Sequence, residues 1–110
     1  MEMDSFAIRA LQPGRVLDGH VHDVLGFPEP VWPYSTHPKA QGRLRDWLKA
    51  HAVTIWLPGQ GHCSDDCVIA VRGFRDSFGA VSESHALSIA VLSAHYLIRN
   101  GRHIPISGRY

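Results

Sequence analysis

Residues 82–101, SESHALSIAVLSAHYLIRNG, form the longest stretch of the chain with the pattern of a single element. Its apolar side chains recur at helical spacing and cover more than one narrow stripe: Leu87, Ile89, Ala90, Val91, Leu92, Ala94, Leu97 and Ile98. A helix covered this broadly has to pack against a sheet or a second subunit. Both ends are marked, because Ser82 or Ser84 can cap the free amides and Asn100-Gly101 is typical of a left-handed stop. We therefore predict a core helix that carries no catalytic chemistry of its own.

Length and composition limit the classes of protein to be considered. A chain of 110 residues supports one hydrophobic core, so we expect a single domain over 1–110. The hydrophobic fraction of 45% and the charged fraction of 19% are those of a folded, water-soluble domain. The net charge of +1 is too small for the broad basic surface that duplex nucleic acid requires. No uninterrupted run of about twenty apolar residues is present, so we expect no membrane span.

The N-terminus, MEMDSFAIRALQPG, lacks the basic start and the apolar core of a secretion signal. This favours a cytoplasmic protein. Two cysteines, Cys63 and Cys67, are too few for a disulfide scaffold, and we expect both to stay thiols in a reducing compartment.

Two more helices are predicted in the first half of the chain. Pro13 suits the first turn of a helix whose apolar face repeats at three- and four-residue steps up to Gly26. Ser35-Thr36 is a capping signal for the next helix, which has Pro38 in its first turn and extends to about His51.

A proline-rich segment separates these two helices. Residues 27–34, FPEPVWPY, hold three prolines in eight positions and must therefore be extended or irregular. The segment presents Trp32 and Tyr34 from a stiff backbone, and connections of this kind often carry binding surface.

The strands are predicted in the second half. Residues 53–57 and 67–74 alternate and are rich in β-formers, which predicts an antiparallel hairpin across the loop PGQGHCSDD. Residues 77–81 have the pattern of a weaker third strand. Both faces of the hairpin are mostly apolar, as in a sheet that is covered on both sides. We therefore predict an α+β fold: a three-layer sandwich in which a short antiparallel sheet, the hairpin plus one strand, lies between helices.

The two ends of the chain carry weaker patterns. We expect residues 1–12 to be a lead-in with one short extended piece over residues 6–11, and residues 102–110 to be a loosely packed tail. So small a sheet with two apolar faces gains by burying them against a copy, and we therefore expect a homo-oligomer. Some polar residues of the final helix are candidates for its interface: His85, Ser88, His95 and Tyr96.

Three segments together resemble a known family. Residues 11–26, LQPGRVLDGHVHDVLG, have a Pro-Gly start, a Leu-Asp pair and a hydrophobic-Gly end, and residues 33–48, PYSTHPKAQGRLRDWL, begin with Pro-Tyr-Ser-Thr. Residues 81–92 open a small-residue, alanine-rich final helix. In this order the segments are similar to the phage ABA sandwich domain, a small domain encoded mostly in bacteriophage genomes.

The resemblance extends over about residues 9–100 in chain order. It departs from the family at His37, where an acidic residue is usual, and at the two histidines of GHVHD. It implies a short antiparallel sheet between helical layers and a phage or prophage origin. It implies no established active site, so no catalytic residue is carried over from the family.

Eight histidines raise the question of a metal site. His62, Cys63 and Cys67 could reach one Zn²⁺ with Asp65 as the fourth ligand, since zinc accepts thiolate, imidazole and carboxylate in a tetrahedron. The spacing matches no common zinc motif, however, and no second pair is present. A polar hairpin loop with a buried Cys67 is the favoured interpretation, and we expect no metal or other cofactor.

Enzymatic chemistry finds little support in the sequence. Nucleophilic catalysis needs an activated thiol or hydroxyl with a positioned base, and Cys63 beside His62 is the only adjacent pair. Sequence neighbours on a loop rarely hold that geometry. The glycines of PGQG lie between strands rather than between a strand and a helix, which excludes a phosphate-binding P-loop. We expect a protein that is not an enzyme.

Aromatic and basic side chains give the most specific functional prediction. Trp32, Tyr34, Arg72 and Arg75 could together bind a nucleotide-derived ligand, because aromatic faces stack on bases and arginine forks pair with phosphates. Trp56 could line the same surface. The alternative is that Trp56 belongs to the core and that both arginines are solvated charges at a sheet edge.

Three functions follow from these patterns. The first is a noncatalytic phage accessory protein that counters host defence in the cytoplasm of the infected bacterium by sequestering a small nucleotide-derived immune signal. The second is an inhibitor that blocks a host or defence protein by direct contact, through the proline-rich segment and the charges of the second helix. The third is a zinc-binding protein centred on residues 62–67.

Overall fold

The computed structural model describes residues 5–58 and 66–100. In chain order its elements are helix α1 (Ser5–Ala10), helix α2 (Arg15–Leu25), a 3-10 turn (Pro38–Ala40) that leads into helix α3 (Gln41–Ala50), strands β1 (Thr54–Trp56), β2 (Cys67–Val71) and β3 (Phe74–Phe78), and helix α4 (Glu83–Asn100). The predicted α+β class with a short antiparallel sheet is confirmed. None of the helices in the described ranges is long and apolar enough to cross a membrane.

Helix α4 is the most enclosed element of the fold. Every residue from Ser84 to Ala94 is buried, and the helix contacts α1, α2, α3 and β2. The predicted cap is present, since the Ser82 hydroxyl accepts the His85 amide at 3.1 Å. The broad apolar coverage of this helix is explained by burial on nearly all sides: the sheet covers one side, as one of the two predicted alternatives has it, and three helices cover the others.

The polar residues of α4 are used inside the molecule. His85 is buried, its Nδ1 accepts the Val81 amide at 3.1 Å, and its Nε2 lies 2.8 Å from the Leu11 carbonyl. Because Nδ1 is an acceptor, Nε2 carries the ring proton and donates to that carbonyl. Ser88 is also buried and donates to the Ser84 carbonyl at 2.9 Å. His85 and Ser88 are therefore not available to a partner subunit, which leaves the half-buried His95 and Tyr96 as the predicted interface candidates.

The sheet has the order β1-β2-β3 and is antiparallel throughout. One face meets α4: Cys67, Ile69 and Val71 of β2 are buried, whereas Val68 and Ala70 between them are only half-buried. The alternation predicted for the first two strands is therefore correct. The second strand ends at Val71 rather than at Phe74, and the third begins at Phe74 rather than at Ser77, because the chain reverses at residues 72 and 73.

That reversal is a two-residue turn formed by Arg72 and Gly73. Both residues have positive φ, 53° and 83° respectively, as a type I′ hairpin requires. The turn sets the β2–β3 register, in which Val71 pairs with Phe74 and Ala70 pairs with Arg75.

The N-terminal lead-in contributes to the core, and the prediction of an extended piece over residues 6–11 is wrong. Residues 5–10 form a helix that packs on α4 and buries Ile8. Arg9 reaches the sheet, where its guanidinium lies 2.8 Å from the Asp76 carboxylate and 3.5 Å from the Ser77 carbonyl. The Arg9 side chain therefore ties α1 to β3. The predicted tail, 102–110, lies outside the described residues.

Candidate functional site

The proline-rich segment, the stiffest part of the predicted ligand surface, is anchored at its C-terminal end by Ser35. The Ser35 amide donates to Asp18 Oδ1 at 2.7 Å, and the Ser35 hydroxyl accepts the Gly14 amide at 2.8 Å. Both Ser35 and Asp18 are buried. The segment is thereby tied to the first turn of α2.

Two predicted helix starts are wrong because of these hydrogen bonds. Helix α2 begins at Arg15 rather than at Pro13, because Gly14 takes a backbone conformation with φ 148° that favours glycine. Ser35 bonds to α2 and leaves the next cap to His37, whose Nδ1 accepts the Lys39 amide at 3.2 Å. The predicted stop at Gly26 is confirmed, with φ 78° and its amide bonded to the His22 carbonyl.

Tyr34 lies in the core rather than on a surface. It has no exposed area, and its hydroxyl is 2.9 Å from His22 Nδ1. Its ring packs at 6.4 Å, centre to centre, from that of Trp32. Tyr34 therefore supports Trp32 from below and is not available for stacking on a ligand.

Arg43 of α3 organises the exposed part of the segment. Its guanidinium carbon lies 3.4 Å from the ring centre of Trp32 and 3.9 Å from that of Phe27, so the cation sits against both rings. Its Nη2 also pairs with Glu29 at 2.7 Å. Desolvation opposes the charge, but hydrogen bonds and electrostatic attraction from Glu29 and Tyr34 outweigh it and raise the pKa of Arg43. The guanidinium is consequently a permanent cation that fixes the segment.

We call the exposed residues Phe27, Val31, Trp32 and Pro33 the Trp32 ridge. Its three large apolar side chains are 38%, 51% and 36% exposed, in that order. Two shallow grooves share Trp32 and Pro33, one continuing to Arg15, Asp18 and Val31 and the other to His37, Lys39 and Ala40. The ridge is therefore an apolar projection with a cation in each adjoining groove.

The arginines predicted for the same site belong to the sheet. Arg72 is exposed in the β2–β3 turn, and Arg75 is exposed on β3, with its guanidinium carbon 5.7 Å from the ring centre of Trp56. Register places Arg75 and Trp56 on the sheet face opposite α4, the outer sheet face: Thr54, Trp56, Val68, Ala70, Arg75 and Ser77. Trp56 is half-buried on this face and does not belong to the hydrophobic core.

The four predicted ligand residues are thus divided between separate environments. Trp32 belongs to the ridge, Tyr34 to the core, and Arg72 and Arg75 to the sheet; neither groove beside Trp32 is lined by either arginine. Sequence reasoning missed Arg43 as the organiser of the ridge. A cation ten residues or more from Trp32 and Phe27 in sequence gives no local signal of that contact.

The predicted zinc site can be followed only at Cys67. His62, Cys63 and Asp65 lie outside the described residues, and within residues 5–58 and 66–100 no three potential metal ligands come together. Cys67 is buried as a free thiol, as the favoured interpretation predicted. Burial, and then the nearby charge of Asp66, raise the pKa of this thiol.

Comparison with known proteins adds no relative to this picture. No model of a known family, no curated protein and no solved structure matches the chain.

Proposed function

We propose that this protein is a noncatalytic binding protein that acts by direct contact with a partner protein through the Trp32 ridge. One observation carries the proposal. Among the described residues, three of the five exposed large apolar side chains fall in one proline-rich segment, and Arg43 holds two of them in place. Exposed apolar clusters of this kind on a folded domain are typical of interaction sites.

The composition of the ridge suits a protein partner. Tryptophan and arginine are the residues that most often dominate the binding energy of protein interfaces. The prolines and the Arg43–Glu29 pair fix the segment before binding, so little ordering entropy remains to be lost. A nucleotide suits this surface less well, because Arg43 already occupies one face of Trp32 and Tyr34 is buried.

The charges beside the ridge indicate an acidic partner surface. Arg15 and Lys39 line the two grooves, and neither side chain has a hydrogen bond or ion pair with another described residue. The acidic groups nearby are already occupied: Asp18 accepts the Ser35 amide and Glu29 pairs with Arg43. The partner should therefore present carboxylates around an apolar centre.

The resemblance to the phage ABA sandwich domain supplies a setting for this activity. In that setting the chain is a phage-encoded accessory protein, and its partner is a host or anti-phage defence protein in the cytoplasm of the infected bacterium. Blocking such a protein requires only a stable surface contact.

The first part of the test identifies the partner. A photo-crosslinking amino acid is placed at Val31, the most exposed side chain of the ridge. The crosslinked protein is identified in the bacterial host and then purified. The affinity of the pure partner is measured for the unmodified chain and for Trp32→Ala, Arg15→Glu and Arg75→Ala.

We expect Trp32→Ala to weaken binding by about 30-fold, as for a residue that dominates an interface. Arg15→Glu should also weaken binding, and the affinity that remains should depend less on salt concentration. Arg75→Ala is the control on the sheet and should bind within about twofold of the unmodified chain. A folded Trp32→Ala protein that keeps full affinity would contradict the proposal, as would the absence of any adduct that depends on the ridge.

A further inference from the structure

The outer sheet face is a second surface, independent of the ridge. Its six side chains alternate with those that α4 buries, and Thr54, Arg75 and Ser77 are exposed while Val68 and Ala70 are half-buried. The two small residues of the central strand form a floor. Trp56 rises from one edge strand and Arg75 from the other, and they approach each other across that floor.

Trp56 and Arg75 lie farther apart than Trp32 and Arg43, the tryptophan–arginine pair of the ridge. Arg43 lies 3.4 Å from the ring centre of Trp32, whereas Arg75 lies 5.7 Å from that of Trp56. A flat ring placed between a guanidinium and an indole needs about 7 Å, two contacts of about 3.5 Å each. Arg75 is exposed, so a small outward movement of its side chain opens that space.

Among the described residues, Arg75 is the charged side chain of the outer sheet face, and Arg72 adds a second cation in the adjoining turn. Arg75 on the face and Arg72 in the adjoining turn have no ion pair with any described residue. None of the six residues of the face is acidic. Asp76, the only acid of β3, points to the opposite face and pairs with Arg9. A ligand for this surface should therefore combine an aromatic ring with negative charge.

We infer that the outer sheet face binds a nucleoside polyphosphate, with its base between Trp56 and the face of the Arg75 guanidinium, and its phosphates paired with Arg72 and with the N–H groups at the edge of Arg75. Bases stack on aromatic side chains largely without regard to their identity, and arginine forks match phosphate oxygens. One indole and two arginines correspond to one base and one phosphate chain. A longer strand would need a basic track that a net charge of +1 does not supply.

A second copy of the chain is a poorer occupant of this face. In a two-fold symmetric dimer the same patch meets itself, so the arginines of both copies would be buried in one interface to which none of the six residues of the face contributes an acid. Like charges brought together at an interface are unfavourable. The expected homo-oligomer, if it forms, should therefore use another surface, and a nucleotide is the ligand with the complementary charge.

The test uses ATP, GTP and UTP as probes with the full chain, by calorimetry and by the shift of the melting temperature. Adenosine and tripolyphosphate are the two partial probes. We expect all three triphosphates to bind and to raise the melting temperature, and each partial probe to bind about tenfold more weakly or worse. No shift with any triphosphate would overturn the inference, as would tripolyphosphate binding as tightly as ATP, because the base would then contribute nothing.

Matched variants locate the site. Trp56→Ala and Arg75→Gln should each weaken ATP binding by about tenfold, and Arg75→Gln should also reduce its salt dependence. Trp32→Ala and Arg15→Gln alter the same residue types on the ridge and should bind ATP like the unmodified chain. Equal losses in the ridge variants would refute the assignment. If Trp56→Ala does not fold, Arg75→Gln with its Arg15→Gln control decides the question alone. Because these residues lie outside the ridge, the result does not depend on the proposed partner protein.

Discussion

Replacing Asp18 by alanine should destabilise the whole protein and loosen the ridge. Asp18 is 6% exposed, and its Oδ1 accepts the Ser35 amide at 2.7 Å. Ser35 has no exposed area, so its amide cannot turn to water when the carboxylate is removed. The substitution Asp18→Ala therefore leaves a buried donor without a partner.

The size of the effect follows from that unsatisfied donor. A buried polar group that loses its partner costs about 1–3 kcal/mol, and bonds to a charged acceptor fall in the upper part of that range. We therefore expect the free energy of unfolding to fall by about 2 kcal/mol. For a domain of about 100 residues this corresponds to a decrease in melting temperature of roughly 10 °C.

Urea denaturation followed by circular dichroism measures this loss. Asp23→Ala is the control, because Asp23 is an exposed acid of the same helix and should change stability by no more than about 0.5 kcal/mol. Asp18→Asn keeps an oxygen acceptor and should lose less than Asp18→Ala. Trp32 fluorescence in a chain with phenylalanine at the two other tryptophans reports whether the ridge loosens. An Asp18→Ala protein as stable as Asp23→Ala would refute the role of this bond as the anchor.

Three other changes test separate parts of the structure. Gly73→Ala should cost about 1 kcal/mol in a thermal melt, because φ is 83° there, and a neutral result would count against the hairpin turn. His85→Ala should cost about 2 kcal/mol in urea, because the buried ring is lost together with its hydrogen bonds to the Val81 amide and the Leu11 carbonyl; an unchanged midpoint would exclude this role. In a Cys63→Ser background, the free energy of unfolding should decline above about pH 8.5, because the Cys67 thiol ionises there in the unfolded chain but not in the folded one, where burial raises its pKa. Cys67→Ser should remove this decline. A decline that persists in Cys67→Ser would contradict burial as the cause.

The elements that the sequence predicted correctly are those whose own residues carry the signal. The apolar residues of helix α4 cover more than one stripe and predict burial against a sheet or a second subunit, and the helix is buried from Ser84 to Ala94 within one chain. The residues predicted for the second strand, 67–74, alternate, and burial alternates over Cys67–Val71, the part that forms β2. Hydrophobic periodicity is a local quantity that follows directly from which side of an element faces the core.

The errors arose where a distant residue decides the local structure. Ser35 looked like a cap for the helix that follows it, but its hydroxyl is taken by Gly14, 21 residues earlier in the chain. The sequence predicts an extended piece over residues 6–11, but the segment is helical up to Ala10. Its Ile8 is buried, and its Arg9 bonds to Asp76, 67 residues away. Such partners are set by tertiary packing, which overrides local preference.

The candidate site shows the same limit. The proline-rich segment was correctly identified as surface, but the depth of each aromatic could not be predicted, because Trp32 and Tyr34 are equally apolar and only two positions apart. Tertiary packing determines that Tyr34 points to His22 and that Trp32 lies against Arg43. Composition predicts which residue types could form a site, but not which of them meet: the fold joins Trp32 to Arg43 and Trp56 to Arg75.

The position of α4 explains why two surfaces can act independently. Helices α2 and α3, which flank the ridge, and strand β2, the floor of the outer sheet face, each pack on α4, and its buried middle exposes nothing of its own. A change on the ridge therefore reaches the sheet through the buried residues of α4. Substitutions on the two surfaces should then be additive in stability and in binding, since effects at distant sites without shared partners add. A double variant, Trp32→Ala with Arg75→Gln, should lose partner binding and ATP binding each by the amount of its single variant, and a deviation of more than about 0.5 kcal/mol would mean that α4 transmits a change between the surfaces.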